Sequence, residues 1–184
     1  MKNRLYSSLQ EVKNLRVMTQ CALLIALYLV LNSFSIYVTP STKFTVSYIA
    51  LAAISMLAGP TTAFFCGGVV EVLGYLLHPN GGAFHPGITL TTMLTGFVMG
   101  LFLYRRELKL WRVIVSRAIV SVVLNLGLNT FWLSTLLGKG FLVMLPTRAL
   151  KAATLFPLEV ALIFLMLKTV AALQTQLSKT QRKS

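Results

Sequence analysis

Long apolar segments follow one another along most of this chain, and few charged side chains interrupt them. Because a helix rises about 1.5 Å per residue, an apolar run of about 20 residues crosses a hydrocarbon core of about 30 Å. Only 11% of the 184 residues are charged and 56% are hydrophobic, whereas soluble domains carry roughly 25% charged residues. The sequence therefore predicts an all-α integral membrane protein.

The apolar segments divide into six expected membrane-spanning helices. We predict spans at residues 17–38, 44–58, 61–77, 88–104, 111–136 and 148–172. Gly59 and Pro60 divide the second span from the third, since both residue types interrupt helices. The segment HPNGGAFHPG, residues 78–87, predicts an irregular loop, and residues 138–146 are expected to link the last two spans. The spans form one transmembrane domain, 1–184, with polar ends at about 1–16 and 173–184.

The basic residues give the expected orientation. Lys and Arg number 17 against four acids, a net charge of +13. They flank the apolar segments and form no stripe with aromatics, so we interpret them as topological signals and not as a nucleic-acid surface. The three clusters are Lys2, Arg4, Lys13 and Arg16; Arg105, Arg106, Lys109 and Arg112; and Lys179, Arg182 and Lys183. Six spans bring all three to one side, which predicts cytoplasmic termini in a multi-pass protein of the cell membrane. The loops at 39–43, 78–87 and 137–147 then face out.

Three ionisable side chains lie where lipid would penalise them. Glu71 falls near the middle of the third span, and such a residue is a functional candidate because a charge in lipid costs several kcal/mol. Arg148 and Lys151 are three residues apart and share a helical face, where they suit an anion such as a carboxylate. The alternatives are an ion pair of Glu71 with one of these cations, or snorkelling of both cations to the headgroups.

A polar stripe on the fifth span is a second candidate for binding. Asn125, Asn129 and Trp132 follow one another at i, i+4 and i+7, which suits a polar ligand with a flat ring. Asn can equally bond another helix and Trp can anchor an interface, and the residues alone leave these readings open. Tyr75 and His85, on either side of the outer loop, complete the candidate substrate-binding set.

Motifs for catalysis or for a resident cofactor are absent from the sequence. It has no GxxxxGK[ST] phosphate loop and no Asp, so we predict that the chain is not an enzyme and does not hydrolyse ATP itself. His78 and His85 lack the spacing of a metal site. Cys21 and Cys66 lie in separate apolar segments without CxxC spacing, and we predict neither a disulfide framework nor a metal site. The expected ligand is a transported solute.

Two pairs of small residues have the spacing that allows helices to approach closely. Gly96 and Gly100 lie on the fourth span, where we expect internal packing. Ala22 and Ala26 lie on the first span, where spacing alone favours an external partner helix and internal packing equally.

Three segments together resemble the S component of energy-coupling factor (ECF) vitamin transporters, specifically the folate family. They are residues 59–103, which begin GPTTAFFCGGVVEVLGYLL; residues 128–160, which begin LNTFWLSTLLGKG; and the motif ALLIA at 22–26. The resemblance implies a high-affinity vitamin-binding subunit that docks on a transmembrane coupling protein and two cytoplasmic ATPases. It also implies that Ala22 and Ala26 form the docking surface, and that the partner subunits hydrolyse ATP.

The vitamin stays open at this point, because the chain departs from the family pattern. The pattern has Arg where this chain has Asn32, Asp where it has Glu71, and Asn where it has Ala152. Loss of a cation weakens the case for the dianion folate, while Glu71 suits the edge of its pterin ring. Folate and pantothenate remain equal alternatives, ahead of pyridoxine or pyrimidine vitamins. A competing class is an ion-driven secondary transporter of a small organic solute, although the internal repeats typical of such carriers are not evident.

Overall fold

A computed structural model describes residues 15–39, 42–77, 84–138 and 140–181, and these residues are almost entirely helical. The elements are α1 (Leu15–Ser33), β1 (Ile36–Thr39), β2 (Thr42–Phe44), α2 (Tyr48–Leu77), α3 (Pro86–Leu103), α4 (Leu110–Ile119), a π-helical segment (Val120–Asn129), α5 (Thr130–Leu137) and α6 (Phe141–Gln181). The prediction of a helical membrane protein is confirmed. Four helices are long and apolar enough to cross a membrane, namely Tyr48–Leu77, Pro86–Leu103, Leu110–Leu136 and Phe141–Leu173, and Val17–Ser33 is a shorter apolar helix.

A short antiparallel hairpin lies where the first predicted span was expected to end. β1 pairs with β2, with Ile36 opposite Phe44, so the predicted helical limits at residues 38 and 44 are wrong. The sequence there is rich in Ile, Val and Thr, which favour strands as well as adding to hydropathy.

α2 is interrupted at the predicted division between the second and third spans. Gly59 has φ 86 and ψ 178, a conformation almost restricted to glycine, and Pro60 follows it without a backbone N–H. Residues 48–58 and 60–77 are therefore two helical segments that meet at a break. The six-span count depends on treating them separately, and it stays a prediction.

Two helix starts differ from the sequence prediction. α3 begins at Pro86, inside the segment expected to be irregular. Proline suits the first turn of a helix. His85 caps the helix, since the Gly87 N–H donates to His85 Nδ1 over 3.1 Å. α6 begins at Phe141 and includes Pro146, so most of the expected linker is helical. Membrane helices tolerate such prolines. Residues 78–83 of the predicted loop lie outside the described part.

Glycines allow α2 and α3 to pack with their backbones close together. A Cβ atom added at Gly96 would lie 2.5 Å from the Ala63 carbonyl oxygen, and one at Gly100 would lie 2.5 Å from the Pro60 Cα atom. The Ser55 hydroxyl also donates to the Gly96 carbonyl over 3.0 Å. Gly96 and Gly100 thus serve the internal packing that their spacing predicts, and they fix the position of α3 against α2.

A buried ion pair, which the sequence pattern did not predict, joins α4 to α6. Arg117 Nη2 and Nε donate to Glu159 Oε2 over 2.7 and 2.9 Å, and the two side chains are only 6% and 15% exposed. The Arg117 guanidinium also lies 4.7 Å from the ring centre of Tyr48, at the start of α2. One charge pair therefore connects three helices inside the apolar bundle.

Removing the carboxylate from this pair is expected to destabilise the protein, because the guanidinium remains buried without a counter-charge. Glu159→Gln should lower the free energy of unfolding by about 3 kcal/mol, measured as a lower midpoint of thermal unfolding in detergent. Glu107→Gln is the matched control, since Glu107 pairs with Lys109 over 3.3 Å but is 81% exposed, and exposed pairs contribute little. Equal midpoints for both variants would contradict a structural role for the buried pair.

Candidate substrate-binding site

The predicted binding residues lie on four helical elements and directly before a fifth. They are Glu71 and Tyr75 on α2, His85 directly before α3, Asn125 and Asn129 in the π-helical segment, Trp132 on α5, and Arg148 and Lys151 on α6. Described contacts place all of them except Asn129 and Lys151 in three groups, each of which joins two or more elements.

The first group links the final turns of α2 to α3. The Thr92 hydroxyl donates to Glu71 Oε2 over 2.9 Å, and both side chains are half-buried. One turn further along α2, the Tyr75 ring packs edge-on against Phe84, with ring centres 5.3 Å apart. The Glu71 carboxylate is thus held by a neutral donor and keeps further acceptor capacity.

The second group is an aromatic pair at the first turn of α3. The rings of His85 and Trp132 are tilted by 39° with centres 5.3 Å apart. A Cβ atom at Gly87 would overlap the Trp132 indole. The indole therefore lies directly on the backbone that His85 caps, and only glycine at position 87 leaves room for it.

Three buried polar atoms of Trp132 and of residues near it or His85 in sequence have no hydrogen-bond partner within the described part of the chain. Among the described residues, Trp132 Nε1, Asn129 Oδ1 and Thr89 Oγ1 are buried and make no hydrogen bond. Leaving such an atom unpaired costs about 1–3 kcal/mol. Trp132 Nε1 can only donate and Asn129 Oδ1 can only accept. An unpaired donor and an unpaired acceptor are groups that a polar ligand would satisfy.

The third group positions Arg148. Its Nη1 donates to Thr130 Oγ1 over 2.9 Å, and the Thr130 hydroxyl donates to the Asn125 carbonyl over 3.0 Å. Thr130 is fully buried. One nitrogen of the Arg148 guanidinium is therefore linked, through the Thr130 hydroxyl, to the π-helical segment that carries Asn125 and Asn129.

The stripe on the fifth span is not the regular α-helical stripe that the sequence predicts. Asn125 and Asn129 belong to the π-helical segment, in which hydrogen bonds span five residues and each turn contains more residues. π-helical turns occur frequently at functional sites. Here the Thr130 hydroxyl bonds the carbonyl five residues before it, which helps satisfy the altered backbone.

The other predicted residues lie outside the three groups. Lys151 is half-buried one turn after Arg148 on α6. Ala22 and Ala26 are exposed on α1, whereas Cys21, Leu24 and Tyr28 of the same helix are buried. His78 lies outside the described residues, and within them no group of three or more metal-ligating side chains occurs.

Sequence reasoning missed four residues of the site: Gly87, Thr89, Thr92 and Thr130. Thr89 and Thr92 follow His85 at i+4 and i+7, so α-helical periodicity would have placed them on its face of α3. Thr130 carries no comparable signal, because its role depends on Arg148 approaching from another helix.

Comparisons with known proteins agree on one family. The family model "ECF-type riboflavin transporter, S component" matches residues 12–167. The "Folate transporter FolT" of Clostridium novyi (strain NT) is 33% identical over 163 residues, which cover 89% of this chain and 94% of that protein. The protein of the same name from Leuconostoc mesenteroides is 26% identical over 152 residues, covering 79% and 81%.

A solved structure, "Crystal structure of FolT bound with folic acid", superimposes with a TM-score of 0.77 at 30% identity. The superposition covers 84% of this chain and 94% of that one. Both the sequence and the helical arrangement of this chain are thus similar to those of folate transporters.

Replacing Thr130 by valine is expected to break the third group, because it leaves the Arg148 guanidinium short of an acceptor and the Asn125 carbonyl short of a donor. We expect Thr130→Val to lower the free energy of unfolding by about 1–3 kcal/mol. The change is measured as a lower midpoint of thermal unfolding. Thr135→Val, an exposed site on α5 whose hydroxyl bonds only within its own turn, is the control. A Thr130→Val midpoint within error of the control would contradict this role.

Proposed function

The chain belongs to the S-component family of ECF-type transporters, and from this premise we propose that it is the membrane-embedded subunit that binds folate for import. The proposal draws on relatives named as folate transporters and on a similar structure solved with folic acid. Pantothenate, the equal alternative on sequence grounds, is the less favoured ligand once the site is considered.

The observation that carries this choice is the orphaned pair formed by Trp132 Nε1 and Asn129 Oδ1, which lie three residues apart in sequence. Trp132 Nε1 offers a donor and Asn129 Oδ1 an acceptor, and the Trp132 ring also contacts that of His85. The pterin of folate is flat and has donors and acceptors on adjacent ring atoms. Pantothenate has no ring, so it would leave the aromatic surface unused. Glu71 is the acceptor that suits the aminopyrimidinone edge of the pterin.

The cations of α6 suit the other end of folate, which carries carboxylates. Arg148, oriented by Thr130, presents a planar fork that matches a carboxylate, and Lys151 follows one turn later as a point charge. We propose that these two residues bind the glutamate part of the vitamin. Glu71 and the orphaned pair then serve the ring.

The same proposal includes an orientation and a set of partners. Six spans with cytoplasmic termini place the ends of α2 and α5 at the outer surface, so that the vitamin enters from outside. The exposed face of α1 with Ala22 and Ala26 docks on the transmembrane coupling protein. Two cytoplasmic ATPases supply the energy, consistent with the absence of a phosphate loop from this sequence.

Folate binding is measured by titrating the purified protein while following tryptophan fluorescence. The chain has two tryptophans, so Trp111→Phe should keep the folate-dependent quenching, whereas Trp132→Phe should lose it. By calorimetry, Arg148→Ala should weaken folate binding by a factor of roughly thirty or more, because a directly paired buried charge contributes about 2–5 kcal/mol. Arg106→Ala, at an exposed cation, is the control.

Two results of the same titrations would reject parts of the proposal for folate binding. Binding of pantothenate or riboflavin in preference to folate would overturn the choice of vitamin. Unchanged folate affinity in Arg148→Ala would mean that this arginine bonds Thr130 without contacting folate, and the carboxylate site would lie elsewhere.

Docking is tested separately by uptake in cells that also express the coupling protein and the ATPases. Ala22→Trp or Ala26→Trp should abolish folate uptake while the isolated subunit still binds folate, because a bulky side chain prevents close helix approach. Leu165→Trp, on the exposed surface of α6, is the control and should transport normally. Uptake that persists without the ATPases would favour an ion-driven carrier instead.

A further inference from the structure

The turn between α3 and α4, together with the first residues of α4, carries four cations. Arg105, Arg106 and Lys109 are exposed, and Arg112 is half-buried. The one acid of this segment, Glu107, is 81% exposed and pairs with Lys109 over 3.3 Å. The segment therefore keeps a surplus of three positive charges, and its exposed ion pair offsets little of their attraction for an anion.

This turn lies where two apolar helices reach the membrane surface. α3 ends at Leu103 and the apolar segment Leu110–Leu136 begins a few residues later, and both are long and apolar enough to cross a membrane. Leu110 and Trp111, the first residues of α4, are 48% and 54% exposed. A tryptophan exposed at the end of a span lies at the level of the lipid headgroups. The cations next to it are therefore at the depth of the lipid phosphates.

Aromatic rings hold two of the guanidinium groups in this turn. The Arg112 guanidinium lies over the Trp111 ring, 5.7 Å from its centre, and that of Arg105 lies over the Tyr104 ring, 5.3 Å from its centre. Arg105 has φ 48, a left-handed backbone conformation that side chains other than glycine's rarely adopt. A guanidinium packed on a ring keeps its N–H groups in its own plane, where they can bond a phosphate.

Arg112 also has a donor that the described residues leave unused. Its Nη1 donates to the Glu107 carbonyl over 2.9 Å, whereas its Nε atom is buried and has no hydrogen-bond partner within the described part of the chain. A buried donor of a charged group is costly to leave unpaired. This is a second observation, independent of the surplus charge, that favours an anionic ligand at the start of α4.

We propose that Arg105, Lys109 and Arg112 bind the phosphate of an anionic phospholipid such as phosphatidylglycerol. The acyl chains of this lipid lie against Leu110 and Trp111. The surplus positive charge favours a lipid with a net negative charge over a zwitterionic one. The exposed apolar pair favours a lipid over a free phosphate ion, which would leave these two side chains in contact with water.

The test counts the lipids bound to the full-length protein by native mass spectrometry in a neutral detergent, with phosphatidylglycerol and phosphatidylcholine supplied in equal amounts. Wild type should retain phosphatidylglycerol in preference. Arg105→Gln and Arg112→Gln should each weaken this binding by about fivefold, the contribution of one cation near an anionic surface. Lys168→Gln is the matched control, because it removes one exposed cation on α6 and should bind as wild type does.

Arg112→Lys separates a built site from a general attraction between charges. Lysine keeps the charge but has no Nε donor and no planar group to pack on Trp111. We expect Arg112→Lys to bind phosphatidylglycerol more weakly than wild type, and full affinity in this variant would contradict a built site. Equal midpoints of thermal unfolding show that the variants remain folded, and Arg105→Gln, at an exposed residue, keeps the test valid if a variant at position 112 does not fold.

Four further results would overturn the lipid site. Equal weakening in Lys168→Gln would mean that any surface cation attracts the lipid. Equal retention of phosphatidylcholine would mean that apolar contact alone binds lipids. Displacement of the lipid by millimolar inorganic phosphate would mean that the site binds the free ion. Unchanged lipid binding, with loss of assembly on the coupling protein in Arg105→Gln, would assign the cations to a protein contact. The lipid measurements do not involve a vitamin, so they are independent of the proposed folate binding.

Discussion

In a membrane, a polar group must find its partner within the protein, because lipid offers none. Arg117 and Glu159 satisfy this constraint completely, since two short hydrogen bonds neutralise the pair and Tyr48 covers the guanidinium. Trp132 and Asn129 do not, because their buried Nε1 and Oδ1 atoms lack partners among the described residues. The first arrangement stabilises the bundle, and the second is what a binding site for a polar solute requires.

Close backbone packing makes the second arrangement possible. Gly96 brings α3 against α2, and on the same pair of helices Thr92 lies within hydrogen-bonding distance of Glu71. Gly87 then leaves room on α3 for the indole of Trp132. A side chain at either glycine would push apart the elements that carry the site. The two glycines therefore determine the geometry of the site, although they have no side chain that could contact a ligand.

The sequence predicted those features that depend on local chemistry. Gly59 correctly predicted the break within α2, because its backbone conformation is nearly exclusive to glycine. The paired strands 36–39 and 42–44 were missed because Ile, Val and Thr raise hydropathy and strand propensity together. The π-helical segment and the contact of Arg148 with Thr130 depend on packing between distant segments, which periodicity along one helix cannot reveal. The sequence therefore predicted the candidate residues individually but not the contacts among them.

Mass spectrometry of the small molecules that leave the protein on denaturation shows whether this site captures folate, as we propose. The protein would be purified rapidly from cells supplied with folate, pantothenate and riboflavin together. We expect a folate to be released in nearly stoichiometric amount. Release of pantothenate or riboflavin, with folate absent, would contradict the pairing of Trp132 and Asn129 with a pterin ring.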